Sequence, residues 1–307
     1  MQSNQVTIIG AANLDITAKS HNPITPQDSN PGTITISPGG VGRNIAENLA
    51  RLNINTRLIA ALGNDFMGNM LLNECKSVGI DMSCCQICQD ASTPIYTAIL
   101  DHDGEMNVAV ADVSNLVSSE HIHRHRDLIA ASPIIMLETN LLKEDIENIL
   151  STFEGKDIYA DTISVAKAGR IKDHIGRFHT IKMNRTEASY LSGQEIADEE
   201  SLEAAAMYFL DSGTKRVVIS LGAEGLYYRH KDEKIRHTPA KTEPTNITGA
   251  GDALMAGIIY STLHNKSAEY TVGFAQAMAY MALMSENTVN EQINPANVER
   301  YNLWRNY

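Results

Sequence analysis

The chain has 307 residues, 43% of them hydrophobic, which is enough for one large domain with a substantial core. Its 25 Lys and Arg residues against 37 Asp and Glu residues give a net charge of −12, which disfavours nucleic-acid backbones and anionic membranes as partners. No apolar run approaches the roughly 18 residues of a membrane span, and no signal-peptide pattern precedes the first predicted strand. We therefore expect a cytoplasmic enzyme.

Strand-like and helical patterns alternate along most of the chain. Short runs of β-branched and apolar residues predict strands at 6–10, 56–61, 134–137, 157–160, 180–183 and 216–220. Helical spacing predicts helices at 44–52, 67–78, 119–130, 143–152, 185–191 and 201–211, and an almost wholly helical region at 253–284. Strands alternating with helices form βαβ units, so we predict an α/β fold with a doubly wound, mainly parallel sheet.

Two segments interrupt this alternation. Residues 33–36, 95–100 and 106–110 have strand patterns with no helix between them, and residues 101–105 read as a hairpin turn. We predict that segments near 16–38 and 94–111 form a small β-sheet, which stands off the main sheet as a lid. Residues 1–307 would then form a single domain that includes this lid.

The chain has four cysteines, Cys75, Cys84, Cys85 and Cys88, and the last two form a Cys-x-x-Cys pattern. No second Cys or His pair follows at a zinc-like spacing, and the pattern does not open a helix after a strand as a redox motif would. We expect reduced, partly buried thiols.

The segment from Asn246 to Asp252, Asn-Ile-Thr-Gly-Ala-Gly-Asp, precedes the apolar run 253–259. Gly249 and Gly251 allow a tight turn, and the apolar run predicts a buried helix with Asp252 in its first turn. The unpaired N–H groups there suit a phosphate. A carboxylate beside a phosphate could accept a proton from a hydroxyl that attacks the phosphorus. The alternative is a helix start in which Asp252 only offsets the helix dipole.

Other polar residues and glycines follow predicted strands. Asp15 lies at the end of the first predicted strand, where open α/β sheets bind ligands, and its carboxylate could accept from two sugar hydroxyls or cap a turn. Asn184 and Glu187 follow another strand, one helical turn apart, and could hold hydrated Mg²⁺ or form a capping box. Gly39 and Gly40 permit close approach to a substrate, or only a tight turn.

Four motifs, in order along the chain, resemble those of the ribokinase-like (PfkB-type) sugar kinases. They are Gly10-Ala11-Ala12-Asn13-Leu14-Asp15-Ile16, Gly39-Gly40-Val41-Gly42-Arg43-Asn44-Ile45-Ala46, Asn184-Arg185-Thr186-Glu187 and Thr248-Gly249-Ala250-Gly251-Asp252. The resemblance covers nearly the whole chain and implies ATP-dependent phosphorylation of a small molecule, with Mg²⁺ as cofactor. It implies that Asp252 is the general base. It also implies that the N–H groups of Gly249, Ala250 and Gly251 stabilise the transferring phosphoryl group.

The resemblance also assigns binding residues. It places Asn13, Asp15 and Asn44 on the sugar hydroxyls and makes Gly39–Gly40 a hinge for lid closure. It places ATP beside Asn184, Ser220, Gly222, Gly225, Thr248, Gly249 and Gly251, and Mg²⁺, through water, on Glu187. Many relatives have an Asp at a bound monovalent cation where this chain has Asn246. An amide can still bind K⁺, but with one negative charge fewer, so activation by K⁺ remains open.

Within the family, residues 28–32 and 37–44 resemble most the kinases that act on pseudouridine, which implies phosphorylation of its 5′-hydroxyl. Candidate contacts to the base are Ser29, Asn30, Asn140 and Lys167. The expected partners are a nucleoside and ATP, with neither nucleic acid nor membrane, and the resemblance permits a homodimer through the lid.

Three alternatives remain at this point. The substrate could be ribose, fructose or a purine nucleoside, or the chain could be a non-catalytic nucleoside-binding regulator of the same fold. A nicotinamide-dependent dehydrogenase is disfavoured because Gly10-Ala11-Ala12-Asn13 stands where Gly-x-Gly-x-x-Gly would follow the first strand.

Overall fold

The computed structural model describes residues 4–112, 117–239 and 241–301. The strands are β1 Gln5–Ile9, β2 Asn13–Ser20, β3 Gly32–Gly39, β4 Asn55–Ile59, β5 Ala61–Gly63, β6 Ile80–Asp81, β7 Gln86–Cys88, β8 Ile95–Leu100, β9 Met106–Ala111, β10 Ile134–Glu138, β11 Asp157–Asp161, β12 Thr180–Asn184, β13 Arg216–Ser220, β14 Leu226–His230 and β15 Glu233–His237. The helices are α1 Val41–Arg51, α2 Phe66–Ser77, α3 Ser119–Arg124, α4 Arg126–Ala130, α5 Lys143–Thr152, α6 Val165–Ala168, α7 Arg185–Ser192, α8 Glu199–Asp211, α9 Ala250–Leu263, α10 Ala268–Leu283 and α11 Pro295–Arg300, with 3₁₀ helices at Gly169–Arg177 and Gly222–Glu224.

The main sheet has the order β15-β14-β13-β12-β11-β10-β1-β4-β6 among the described residues. Its pairs are parallel from β6 to β13, and β14 and β15 add an antiparallel hairpin at one edge. Apolar side chains on the two faces belong to separate cores, so Ile8 packs in one and Ile9 in the other. The prediction of a doubly wound, mainly parallel sheet is confirmed.

Strand β1 lies between β4 and β10, and the chain proceeds outward from it in both directions. Where the strand order reverses in this way, the connections after two neighbouring strands run to opposite faces of the sheet. They leave a crevice between them at the carboxyl ends of the strands. Here the crevice lies beyond Ile9 and Glu138, which end β1 and β10. It is the place where this topology is expected to bind a ligand.

The small sheet has the order β3-β2-β8-β9 and confirms the second, smaller sheet of the prediction. Asp15 lies within β2, so its placement at the end of the first strand was wrong. The chain leaves the main sheet at Gly10, whose N–H donates to the carbonyl of Ile59, and Leu14 already pairs beside β8. The role of this sheet as a lid stays a prediction.

Several predicted boundaries also differ. The predicted helix 119–130 is divided at His125, whose ψ of 12° ends α3, and the region 253–284 is divided between α9 and α10 by a turn. Ser267 caps α10 by accepting a hydrogen bond from the N–H of Tyr270. The hairpin β14–β15 was not predicted, because its strands carry charged residues between the apolar ones.

The four cysteines are free thiols. Burial raises the pKa of Cys75 to about 11 and that of Cys85 to about 12, so both stay protonated at neutral pH. Within the described residues, the potential metal-binding groups do not include a cysteine. Within the same residues, we find no helix with the length and apolar character needed to cross a membrane.

Candidate active site

A cleft of about 340 Å³ lies between the small sheet and the carboxyl edge of the main sheet. It gathers nine of the predicted site residues: Asn13, Asp15, Gly40, Asn44, Asn140, Lys167, Thr248, Gly249 and Asp252. These residues come from five separate parts of the chain. Their convergence on one cleft is a result of the fold.

Asp252 lies in the first turn of α9 and is buried. Gly249 caps this helix in the left-handed conformation (φ +81°), and a Cβ built there would lie 2.1 Å from the carbonyl oxygen of Thr288. Burial raises the pKa of Asp252 to about 7, and the charge of Asp161 adds to this rise. The ammonium of Lys182 and a hydrogen bond from Asn44 oppose it. Asp252 is therefore a carboxylate able to accept a proton near neutral pH.

A buried ion pair lies beside this helix start. The Nζ of Lys182 is 2.9 Å from Oδ2 of Asp161, and both side chains are buried. A Cβ built on Gly251 would lie 2.6 Å from that Nζ, so the ammonium would have to shift if another residue stood here. Lys182 thus adds positive charge at the helix end where the sequence predicts a phosphate.

Asn44 links the two helices that flank the cleft. Its Nδ2 donates to Oδ2 of Asp252 at 2.8 Å, across 208 positions of sequence. Its Oδ1 accepts from Nη1 of the buried Arg43 at 2.7 Å. Arg43 also forms an ion pair with Glu47. Arg43 lies within the second family motif, where the sequence indicates no role for it.

The sugar side of the cleft is built on β2 and β3. Nδ2 of Asn13 donates to Oδ1 of Asp15 at 2.6 Å. Burial raises the pKa of Asp15, while the Asn13 hydrogen bond and the charge of Arg43 lower it. A Cβ on Gly39 would lie 2.3 Å from Oδ2 of Asp15, so glycine is needed there for the carboxylate to fit. Gly40 adopts φ +96° and begins α1.

Sequence reasoning missed Glu138, the last residue of β10. This fully buried carboxylate accepts from the backbone N–H of Ala11 and of Asn140, each at 2.6 Å. Burial raises its pKa to about 7, and these N–H groups and the charge of Lys167 lower it. Glu138 thereby joins the start of the β1–β2 connection to the loop after β10. Its position at the carboxyl end of a buried parallel strand was the pattern that could have indicated it.

Asn140 and Lys167 approach each other on one wall of the cleft. The ammonium of Lys167 donates to Oδ1 of Asn140, and Arg170 donates to the Asn140 backbone carbonyl at 2.6 Å. Burial lowers the pKa of Lys167, and the charge of Glu138 opposes this shift. Both residues are placed where they could meet a ligand, and their contact with a base stays a prediction.

Four of the residues predicted to bind ATP lie at or just after the ends of β12 and β13, and the other three, Thr248, Gly249 and Gly251, lie at the start of α9. Asn184 and Ser220 are register partners in these adjacent parallel strands. Gly222 adopts φ +59° and has open space where a Cβ would be, whereas a Cβ on Gly225 would collide with the carbonyl of His237 at 2.1 Å. An ion pair of 2.6 Å between Arg185 and Glu224 joins the two loops.

Asn184 and Glu187 form a complete capping box at the start of α7. Oε2 of Glu187 accepts from the Asn184 N–H and the Thr162 hydroxyl, and Oε1 accepts from Nδ2 of Asn184. With about two lone pairs on each oxygen, only Oε1 keeps one for a further donor. This donor set fits a hydrated Mg²⁺ bound through water, and the magnesium role stays a prediction.

Two other predicted groups lie outside the main cleft. Oδ1 of Asn246 accepts from the N–H of Thr248 at 2.9 Å, and its Nδ2 donates to the carbonyl of Glu286 at 3.3 Å. The Asn30 amide is occupied by Thr25 within its own loop, and Ser29 is exposed. Asn30 lines a second cleft, of about 420 Å³, on the lid.

The model of the pfkB family of carbohydrate kinases matches residues 3–295. The chain belongs to this family. It is an ATP-dependent nucleoside or sugar kinase, which confirms the predicted enzyme class and disfavours a non-catalytic regulator. A pseudouridine kinase of Escherichia coli (strain K12) is 37% identical over 300 residues, 97% of this chain and 96% of the relative.

Solved structures agree with this fold. A carbohydrate kinase from Agrobacterium tumefaciens has a TM-score of 0.86 at 27% identity, covering 97% of this chain and 96% of that one. The Arabidopsis thaliana ribokinase complexed with ribose and ATP has a TM-score of 0.87 at 18% identity, covering 98% and 99%. This last likeness supports the fold alone.

Proposed function

We propose that this kinase transfers the γ-phosphoryl group of ATP to the 5′-hydroxyl of pseudouridine, with Asp252 as the general base. The observation that carries the proposal is the cleft, which is lined by both Asp15 and the buried Asp252. The resemblance of residues 28–32 and 37–44 to pseudouridine kinases supports the choice of nucleoside, as does the E. coli relative.

In this mechanism Asn13, Asp15 and Asn44 hold the ribose hydroxyls, so that the 5′-oxygen faces Asp252. As this oxygen bonds to the γ-phosphorus, its proton passes to Asp252 and the bond from phosphorus to the β,γ-bridging oxygen of ATP breaks, releasing ADP. N–H groups of Gly249, Ala250 and Gly251 stabilise the charge on the transferring group. Mg²⁺, held through water by Glu187, would neutralise part of the charge on the ATP phosphates.

Closure of the small sheet over the nucleoside would exclude water, which otherwise competes as the acceptor. Gly39 and Gly40 are suited to be the hinge, since they join β3 to α1 and Gly40 adopts a conformation that other residues rarely reach. The cleft lies directly beneath this sheet, with Tyr96 and Ala111 among its lining residues.

Pseudouridine is distinguished by the N1–H group of its ring, which uridine lacks because its N1 bears the glycosidic bond. A site built around one such hydrogen bond discriminates by up to about 10⁴–10⁵-fold. Asn140 and Lys167 line the cleft and are our candidates for contacts with the base. Ser29 and Asn30 would reach the base only if their loop moved from its place outside this cleft.

The test is a panel in which kcat/KM is measured for pseudouridine, uridine, adenosine, fructose and ribose with one enzyme preparation. We expect pseudouridine to exceed the others by at least about 10²-fold. Equal or better use of uridine, adenosine, fructose or ribose would overturn the pseudouridine assignment and leave the kinase class intact. Lys167→Met should lower kcat/KM for pseudouridine while leaving the Kd for ATP unchanged.

We also infer a homodimer through the small sheet. Register places Ile36, Ile16, Thr97 and Val110 in one row across the four strands, and Ile34, Ala18, Ile99 and Val108 in the next. Both rows lie on the face opposite to Asp15, since side chains alternate along a strand. Ile34 is 69% exposed and Val110 67% exposed. A second copy of the chain would cover this apolar face.

Whether K⁺ activates the enzyme depends on Asn246. Both ends of its amide already make hydrogen bonds, one to Thr248 and one to Glu286. A cation at the Glu286 carbonyl would have to displace the Asn246 Nδ2 group. We therefore propose that activation by K⁺ is weak, and that kcat in potassium chloride stays within about threefold of kcat in choline chloride.

A further inference from the structure

We propose that Arg43 is a positioning residue, which fixes the side-chain amide of Asn44 in the one orientation that donates to Asp252. The proposal rests on the proposed role of Asp252 as general base. It concerns a side chain that lines no part of the cleft and acts on the reaction only through Asn44.

The orientation follows from donor and acceptor counting. A guanidinium has N–H donors and no acceptor, so the group of Asn44 that lies 2.7 Å from Arg43 Nη1 must be its oxygen. The Asn44 NH₂ group is then left to face Asp252, where it donates to Oδ2 at 2.8 Å. The assignment does not depend on distinguishing oxygen from nitrogen by their size.

Without Arg43, the amide could turn by 180° at little steric cost, because its oxygen and nitrogen ends are nearly the same size. The turned amide would set its oxygen against the Asp252 carboxylate, and two acceptors would then oppose each other in a buried site. Asp252 would then lose the charge-assisted hydrogen bond that it accepts from Asn44. Arg43 prevents this by offering the Asn44 oxygen the better partner.

Arg43 is itself held in place. It forms an ion pair with the buried Glu47 one turn along α1, and its Nη1 donates to the carbonyl of Pro38 at 3.1 Å. Pro38 belongs to β3 and directly precedes the Gly39–Gly40 hinge candidate. Arg43 therefore joins the base of the small sheet to the residue that contacts Asp252.

The consequence is a defined pH dependence. The Asn44 hydrogen bond lowers the pKa of Asp252, and Lys182 does so as well, while burial and the charges of Asp161 and Glu138 raise it. If Arg43 is removed, only the Asn44 contribution changes among these. The pKa of Asp252 should then rise, and the acid limb of kcat should move to higher pH. The charge of Arg43 also lowers the pKa of Asp15, so the acid limb of kcat/KM moves through Asp15 as well, and the kcat profile is the readout for Asp252.

The chain offers a matched control. Arg51 lies on the same helix, and its Nε donates to the other oxygen of the same Glu47 at 2.8 Å. Its hydrogen bonds go to Glu47 and to the carbonyl of Glu291, away from Asn44. Arg43→Met and Arg51→Met therefore each remove one arginine from Glu47, and only the first frees the Asn44 amide.

The experiment compares pH profiles of kcat and kcat/KM for wild type, Arg43→Met, Arg51→Met, Asn44→Ala and the double variant Arg43→Met/Asn44→Ala. We expect Arg43→Met to lower kcat by about 10-fold or more and to move the acid limb of kcat up by about half a pH unit or more. Arg51→Met should stay within about twofold of wild type. In the Asn44→Ala background, Arg43→Met should change kcat by less than about threefold, because its target is gone.

Equal profiles for Arg43→Met and Arg51→Met would overturn the proposal, and so would an undiminished loss from Arg43→Met in the Asn44→Ala background. If Arg43→Met does not fold, judged by circular dichroism, Arg43→Gln replaces it, because the glutamine amide can offer either a donor or an acceptor and so does not fix the orientation of the Asn44 amide. It should show the same direction of shift, and an unshifted acid limb of kcat would then refute the proposal. Asp252→Asn, run alongside, separates the two ideas: if it keeps near-wild-type kcat, the proposed function of Asp252 fails first.

Discussion

Several carboxylates and few cations share the interior of this cleft. Asp252 and Asp161 are buried close enough for their charges to interact, and Lys182 neutralises only part of that charge. Such crowding raises the free energy of the ionised form, so it costs stability and makes Asp252 a better proton acceptor near pH 7. A site that only capped a helix would not require the base to be this deeply buried.

Asp252→Asn keeps the shape and hydrogen-bonding capacity of the side chain and removes the base. We expect kcat to fall by roughly 10²–10⁴-fold, while the Kd for ATP, measured by calorimetry, changes little. Near-normal turnover would mean that the carboxylate serves the helix start and not the chemistry.

The same substitution should reveal a pH-dependent cost of folding. The pKa of Asp252 is raised in the folded state to about 7 from an ordinary 3.8, so the folded state holds its proton where the unfolded chain has released it. The contribution of Asp252 to the free energy of unfolding is therefore greatest below about pH 4, and it is lost as the pH rises through about 7. Glu138 contributes in the same direction.

Asp252→Asn should therefore unfold at a higher temperature than wild type at pH 8, by a margin that shrinks at pH 5. The expected gain in the free energy of unfolding at pH 8 is about 1 kcal/mol or more. Thermal unfolding at the two pH values checks this, and Asp232→Asn, at an exposed position between β14 and β15, is the control. A margin that is equal at both pH values would contradict the buried, proton-holding state of Asp252.

Among the elements, the starts of α1 and α9 determine how Asn44 and Asp252 lie relative to each other. The two helices pack against each other, with Asn44 and Asp252 both in first turns. Close packing continues along α9, where a Cβ on Gly257 would lie 2.6 Å from the Cα of Ala275 in α10. The base and its partner are thus carried on elements fixed by their core contacts.

The turn between β3 and α1 should be equally intolerant of change. In Gly39→Ala, the new methyl group would meet the Asp15 carboxylate, so we expect the KM for the nucleoside to rise by about 10-fold or more while the Kd for ATP is kept. Gly79→Ala is a control at a helix end with open space, although its φ of +88° costs some stability. Equal effects on both ligands would indicate a general folding defect.

For the molecule as a whole, the exposed face of the small sheet is the feature that calls for a partner. It presents Ile34, Ile36, Ile99, Val108 and Val110 together, whereas exposed apolar residues elsewhere are scattered. A net charge of −12 spread over the chain opposes non-specific association, so a dimer here would depend on this apolar surface.

The double variant Ile34→Lys/Val110→Lys should convert the proposed dimer to monomers. Each protomer would then bring two ammonium groups into the apolar interface. Sedimentation velocity at micromolar concentration measures the change. Leu128→Lys, a similarly exposed apolar position outside the sheet, should leave the oligomeric state unaltered. A wild-type chain that sediments as a monomer would refute the dimer directly.

The elements were predictable where local pattern and burial agree. Strands such as β10, whose five residues are all buried, appear as short apolar runs, and α9 follows from its glycine turn and long apolar stretch. Hairpin β14–β15 was not predicted, because β15 has only one apolar residue, Ile235, among polar and charged ones. Strand β2 was not predicted, because its pairing depends on β8, which is distant in sequence. For the same reason Asp15 was placed on the wrong strand.

Site residues that belong to a motif could be named in advance, and seven of them meet in the cleft. Asp161, Lys182 and the proposed role of Arg43 could not be inferred, since each matters through a partner that local spacing does not reveal. Glu138 was missed, although its place at the end of a buried strand could have indicated it. A lone Lys within a strand has no distinctive pattern until Asp161 and Gly251 are seen beside it.

Residue order along the chain was thus sufficient for the fold class and the family, because apolar periodicity, glycine turns and short motifs act over a few residues. The burial, the charge interactions and the side-chain orientations of the site residues depend on the tertiary structure. The pKa of Asp252, the direction of the Asn44 amide and the apolar rows of the small sheet all arise from contacts between segments far apart in the chain. Such contacts form only when the core has formed, so their energies cannot be predicted from the local sequence.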